Sequence, residues 1–328
     1  MSRTVPASAP NLALPVDGRV ELEYDLTIVT PMVGGSAIAR EANTQVRPTE
    51  IMGNLRHWWR ATNAGRFNLG ELVWQEDALF GSAVHPGHCQ ISVTTVKPGK
   101  VRPDLTNDRA SSYAIWALLE NNKVSHRTQF TDQVTLGTQF TLRLRFTPEW
   151  EQAILPAMQA FIAYGGLGGR TRRGCGSLQL STLTTRRPDG TKDVSDYARP
   201  RIRPIGLPTA PAIRDDRMTG LPQHVFVFGR AMTDPVQAWH KSLKAYQDFR
   251  REMRQKRSSH PNATVQTGSE GQHRIASPII TKALQWDGGF LPMVAILDAP
   301  LNGDPSGQAI ENFLNEGGWR EAEMGVRP

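Results

Sequence analysis

From Val20 the chain alternates: Val20, Leu22, Tyr24, Leu26 and Ile28 are apolar and the residues between them are mostly polar. A period of two marks a strand with one buried face, and Pro31 followed by Gly34-Gly35 closes it near Thr30. From Pro48 the period changes. Ile51, Leu55, Trp58 and Trp59 recur at helical spacing behind a Pro48-Thr49 start, with Arg56 and Arg60 one turn apart on the other face. A second helix is predicted over Gly70 to Phe80 through Leu72, Val73 and Leu79, stopping at Gly81-Ser82. Strands are predicted at Gln90 to Val96 and at Gln139 to Phe146, where Phe140, Leu142, Leu144 and Phe146 alternate with Thr141, Arg143 and Arg145. Trp150, Ile154, Met158 and Phe161 restore helical spacing over Pro148 to Tyr164, and Ser177 to Leu183 reads as one more strand.

Strand, helix, two strands, helix, strand is the βαββαβ order of a ferredoxin-like unit, a class shared with RNA-recognition modules. This unit is expected over residues 19–185, after a flexible arm at 1–18. Residues 186–220 are rich in Pro, Arg and Asp without apolar periodicity, which predicts a linker or surface excursion. Residues 221–328 then offer a strand at Val225 to Phe228 and a long helix through Val236, Trp239, Leu243, Tyr246 and Met253. A polar loop follows over Ser258 to Gly271, then strands at Ile275 to Leu284 and Phe290 to Leu297 and a short helix over Gly307 to Leu314. The fold class expected is α+β: tandem ferredoxin-like (RRM-like) domains, the second one degenerate.

Composition narrows the partners. Among 328 residues, 38 Lys and Arg stand against 31 Asp and Glu, a formal charge of +7 that suits a polyanion. Cys89 and Cys175 are too few for a disulfide framework and lack CxxC spacing, so a reducing cytoplasm is expected. Met1 to Val16 holds no apolar run of signal-peptide or membrane length, and neither export nor membrane insertion is expected.

Three segments concentrate cations. Tyr164 to Ser177 (YGGLGGRTRRGCGS) packs Gly165, Gly166, Gly168, Gly169 and Gly174 beside Arg170, Arg172 and Arg173. Glycines let backbone N–H groups approach phosphates, and the arginines add charge and forked donors. The same loop is also what a flexible, solubilising connection looks like, and its helix-to-strand order excludes a P-loop. Pro48 to Arg60 adds Arg56, His57 and Arg60, preceded by Arg40 and Arg47, as a phosphate-tracking strip or a solvated face over core tryptophans. The long second-half helix carries Lys241, Lys244, Arg250, Arg251, Arg254, Lys256 and Arg257, either a solvated basic face or one wall of a nucleic-acid groove. Tyr246 and Phe249 could stack on bases, but their helical spacing favours core packing.

TPMVGG at Thr30 to Gly35, IMGNLRHWWR at Ile51 to Arg60, LFGS at Leu79 to Ser82, GGLGGRTRRGCGS at Gly165 to Ser177 and RIASPII at Arg274 to Ile280 occur in one order. In that order they resemble the RAMP-superfamily CRISPR proteins, most of all the first-subunit family of the type III-B Cmr effector complex. The resemblance implies two ferredoxin-like domains and a non-catalytic RNA-binding subunit, cytoplasmic and acting in antiviral defence. It would contact the 3′ region of the guide CRISPR RNA, help capture target RNA and assemble with other RAMP subunits. The positions matching the basic motifs are Arg56, Arg60, Arg170, Arg172, Arg173 and Arg274.

Some RAMP relatives cleave RNA without metal through a histidine acid or base, so His57 and His126 are the candidates for a guide-processing endoribonuclease. No acid–base pair follows from spacing. The resemblance implies that a target-cleaving RAMP protein carries a catalytic Asp in the loop after its first strand; here that loop, Pro31 to Ala37, has no Asp and Asp25 lies inside the strand, against metal-dependent target scission. His85, His88 and Cys89 lack a downstream zinc pair, and neither metal nor cofactor is expected. A third reading is a scaffold that docks a partner protein through its basic helix.

Overall fold

The structure is a computed structural model and describes residues 18–34, 45–102, 113–115, 134–198, 207–208, 211, 213, 218–259, 278–298 and 306–322. Four strands carry the first half: β1 (Val20–Ile28), β3 (Gln90–Lys97), β6 (Gln139–Phe146) and β7 (Leu178–Arg186). With β8 (Lys192–Asp196) they form one antiparallel sheet in the order β3-β6-β1-β7-β8. A three-stranded sheet, β2 (Met32–Val33), β5 (Val134–Leu136) and β4 (Lys100–Arg102), stands beside it.

Helices accompany these strands. α1 (Pro48–Asn63) starts on Pro48, whose fixed φ suits a first helical position. α2 (Leu69–Phe80) starts on a capping box: Asn68 accepts from the Glu71 amide, and the Glu71 carboxylate accepts from the Asn68 amide. α3 (Glu151–Tyr164) follows a single 3-10 turn at Pro148–Trp150 and ends at Gly165.

In the second half β9 (Pro222–Val227), α4 (Pro235–Ser259), β10 (Ile279–Trp286), β11 (Gly289–Leu297), α5 (Ser306–Glu316) and β12 (Arg320–Glu321) follow one another. The sheet runs β10-β11-β9-β12, antiparallel throughout. The last strand, β12, has two residues.

Alternation explains how the layers stack. In β1 the odd partners Glu21, Glu23 and Asp25 face outward, while Leu22, Tyr24 and Leu26 are buried with α1 and α3. The β11 segment, GFLPMVAIL, is apolar throughout because both of its faces are covered. Leu291, Met293 and Ala295 join Val225, Val227 and Ile280 in the core that contains Tyr24, Phe161 and Tyr164; Val294 and Ile296 join Phe226, Phe249 and Leu314 on the far side. The molecule is therefore a stack of first sheet, α1 and α3, second sheet, and α4 and α5.

Several sequence expectations change. The strand predicted to stop at Leu183 runs on to Arg186, and the stretch from 186 begins as a hairpin, with β8 continuing the sheet. The strand predicted from Ile275 is described from Ile279. The arm at 1–17, Arg40, His126 and Arg274 lie outside the described residues, as does the side chain of Arg254. Among the described residues no helix is long and apolar enough to cross a membrane.

Candidate nucleic-acid interface

The glycine-arginine loop is the joint between the two halves. After α3 the chain turns through Gly168 at φ 79° and Arg170 at φ 61°, makes a 3-10 turn at Thr171–Arg173 and enters β7 through Gly174 at φ 77°. A left-handed arginine is strained relative to glycine, and Arg170 is held there while its Nε donates to the Ala114 carbonyl at 2.7 Å. At Gly174 a Cβ would lie 2.5 Å from the Trp239 ring and 2.6 Å from the Thr281 carbonyl oxygen, so only glycine fits.

Two side chains anchor its first-half end. Thr30 Oγ1 donates to the Gly174 carbonyl and accepts from the Ser177 amide, and Ser177 Oγ donates to that same carbonyl. Thr30 opens the TPMVGG segment and Ser177 closes GCGS, so two motifs far apart in sequence meet in one bond cluster.

The backbone of this loop is spent on itself. The amides of Gly165, Gly168, Gly169 and Gly174 donate to the Phe161 carbonyl, the Glu50 carboxylate, the Val33 carbonyl and the Thr171 carbonyl respectively. The expectation that these amides cradle phosphate is corrected for those four: they hold the loop together, and the glycines serve close packing.

Arg173 crosses into the second half. Its guanidinium donates to the Ile279 carbonyl at 2.9 Å and to Tyr246 Oη at 3.0 Å, and lies 4.2 Å from the Tyr246 ring centroid. The Trp239 indole donates back to the Arg173 carbonyl at 2.6 Å. Lys282 makes the reverse crossing. Fully buried in β10, its Nζ donates to the Ile162 and Gly165 carbonyls at 2.6 and 2.5 Å, at the C-terminal end of α3 where a cation is favoured. Burial pulls its pKa down to about 7.

The α1 arginines have partners too. Arg56 donates to Glu76 at 3.0 Å and to the Gly81 carbonyl, and sits 3.5 Å from Asp77; Arg60 donates to both Glu76 oxygens at 2.6 and 2.7 Å. Glu76 is almost wholly buried beneath them, whereas Arg60 keeps 42% of its side chain exposed. His57 stands between these arginines and the loop. Burial, then Arg172 and Arg60, lower its pKa to about 4, so the imidazole is neutral at pH 7. Burial and the neighbouring Arg173 also lower that of Arg172. Arg47 is exposed at the start of α1.

The basic helix divides by face. Trp239, Leu243, Tyr246 and Phe249 are core, as their spacing predicts. Lys241 is exposed and lies 5.6 Å from the Phe228 ring centroid, Lys244 pairs with Asp248 at 2.6 Å, and Arg250 is half-buried. Within the described residues no three His, Cys, Asp or Glu side chains gather as metal ligands. Burial raises the thiol pKa of Cys89 and of Cys175 to about 12.

The outward face of the first sheet is also cationic in sequence and yet compensated. Arg143 pairs with Glu23 at 2.5 Å, and Arg186 with Glu21 at 2.8 Å; Arg145 reaches Glu21 at 3.6 Å. Cross-strand ion pairs occupy the surface on which RNA-recognition modules place stacking aromatics.

Sequence reasoning missed Lys282, Glu50 and Glu76. Two left a signal: a lysine inside the apolar run from Ile279, and a glutamate, Glu76, whose neighbours one turn on, Leu79 and Phe80, are buried.

A model of the RAMP superfamily matches residues 25–179. The Cmr1-2 subunit of the CRISPR Cmr system of Pyrococcus furiosus is 26% identical over 183 residues, 50% of this chain and 96% of that protein. Cmr1-1 of the same organism is 26% identical over 162 residues, 48% of this chain and 47% of its own length. In structure, crystalline apo Cmr1 of P. furiosus superposes with a TM-score of 0.56 at 19% identity, covering 84% of this chain and 87% of that one. A chain of the type III-B Cmr-beta complex, solved with cognate target RNA and AMPPnP in the presence of ssDNA, gives 0.56 at 12% identity, covering 92% of this chain and 100% of that one. The two structural likenesses, at these identities, are likenesses of fold. In sequence the chain resembles RAMP-type CRISPR proteins and, among them, Cmr1.

Proposed function

We propose that this RAMP-type chain is a non-catalytic, RNA-binding subunit of a type III-B CRISPR effector ribonucleoprotein. It contacts the 3′ region of a guide CRISPR RNA, helps capture target RNA and assembles with other RAMP subunits in the cytoplasm. The observation that carries the reading is the RAMP match over residues 25–179, the stretch that holds both α1 and the glycine-arginine loop. Similarity to Cmr1 over most of the fold adds to it.

The chain reads as two ferredoxin-like units, 19–185 with the β7–β8 hairpin continuing its sheet, and 221–328, after an arm at 1–18. Numbering the principal strands of each half in chain order, both sheets run 4-1-3-2 and are antiparallel, which supports that reading. RNA is held by side chains, Arg172 and the α1 arginines foremost, with Arg40, Arg47, Lys241, Lys244, Arg250, Arg254 and Arg274 extending the track. Arg173, Gly165, Gly168, Gly169 and Gly174 act behind it by fixing the loop. His57 is a weak base and an uncharged imidazole at neutral pH, which favours a binding role over general acid catalysis.

The test titrates labelled single-stranded RNA with the full chain, with and without Mg²⁺, scoring retention and scission in the same samples. Salt-sensitive retention of intact RNA is expected. For about six neutralised phosphates, affinity falls with log salt at a slope of about −4. A flat salt response removes the phosphate track, and scission abolished by His57→Ala replaces this reading with an endoribonuclease.

A further inference from the structure

Gly53 lies in the second turn of α1, exposed, where the described residues give no reason for a glycine. Its φ is not positive, and a Cβ built there meets nothing within 4 Å among the described residues. Gly165, Gly166, Gly168 and Gly174 differ, since a Cβ on any of them would fall within 3 Å of a neighbour. An interior helical glycine weakens a helix relative to alanine. Packing and backbone geometry leave that weakening at Gly53 unexplained.

The surroundings supply a reason. Residues three, four and seven places on lie on the same helix surface, and these are Arg56, His57 and Arg60. Arg172 reaches in from the loop, close enough to act on the charge of His57 together with Arg60. Arg60 binds Glu76 through Nη1, one part of a five-donor fork, and stays partly exposed. The result is a spot on the helix without a side chain at position 53, with cations on its C-terminal side and a neutral imidazole among them able to form hydrogen bonds; Glu50, one turn before it, is engaged by the Gly168 amide. Its shape suits an extended polyanion lying flat against the helix, which any side chain at position 53 would hold off.

We infer that Gly53 is the point of closest approach for a single-stranded RNA backbone on α1, with phosphates taken by Arg56, Arg60 and Arg172. This rests on the RNA-binding reading above and names where on the surface the strand lies.

The experiment compares wild type, Gly53→Ala and Gly53→Leu as full chains, measuring thermal midpoint and affinity for a labelled oligouridylate. Because the helix gains propensity, the alanine variant is expected to melt about 2 °C higher. Affinity is expected to fall about threefold with alanine and about tenfold or more with leucine. Stability and binding thus move in opposite directions, which a structural glycine would not produce. Unchanged RNA affinity in both variants overturns the inference and leaves the RNA-binding reading standing, even if affinity for an acidic peptide falls. Loss of stability together with binding also overturns it, by giving Gly53 a structural role. If the wild type does not retain RNA, the RNA-binding reading falls and takes this inference with it.

Discussion

Arg173 shows how one side chain can be both cationic and structural. Its planar fork serves the Ile279 carbonyl and Tyr246 Oη while its flat face lies over the Tyr246 ring, which a lysine ammonium cannot reproduce. Arg173→Ala is expected to lower unfolding free energy by about 2–3 kcal/mol, and Arg173→Lys to recover less than half of that, measured by denaturant titration. Lys282 offers a pH test. Its folded pKa of about 7 lies below the ordinary lysine value of 10.5. Between those values the unfolded chain binds the extra proton, so this residue makes stability rise with pH above about 7. Lys282→Met is expected to flatten that rise between pH 7 and 9, read from denaturation midpoints at several pH values. An unchanged slope in the variant would show that the lysine is not the source.

The elements are held to one another by a few pairs more than by their own propensities. α2 begins on its capping box, but its orientation against α1 is set where Glu76 lies under Arg56 and Arg60. Removing that carboxylate leaves Arg60 without its counter-charge and Arg56 with Asp77 alone, beside His57 and Arg172. Glu76→Gln is expected to cost about 1–2 kcal/mol, discounted because both arginines are partly exposed. It is also expected to lower the His57 pKa further, since the cations already pushing it down are no longer offset; NMR titration of the imidazole checks this. Helix and strand periods were legible for β1, β6, α1 and α2 because each buries one face. The short strands β2, β4, β5 and β12 were not, because two or three residues carry no period.

At the scale of the molecule, the second sheet is covered on one side by the first half and on the other by its own helices. A core that runs from Leu22 through Tyr164 to Leu291 does not divide between residues 186 and 220. Thermal unfolding of the full chain is accordingly expected as one cooperative transition, with calorimetric and van't Hoff enthalpies in agreement. Two separated transitions would mean that the halves fold independently in spite of that shared core.

The sequence by itself determined where the longer strands and helices lie, because burial of one face imposes a period on neighbouring residues. It also determined the resemblance to RAMP proteins, through glycines and arginines at fixed places in TPMVGG, IMGNLRHWWR and GGLGGRTRRGCGS. Only the tertiary structure decided which of those arginines face solvent. Periodicity describes a residue against its own element, whereas the partners of Arg56, Arg60 and Arg173 come from α2, β10 and α4, up to 106 residues away. The same separation hid Lys282, whose charge makes sense in an apolar strand only once the end of α3 is packed against it.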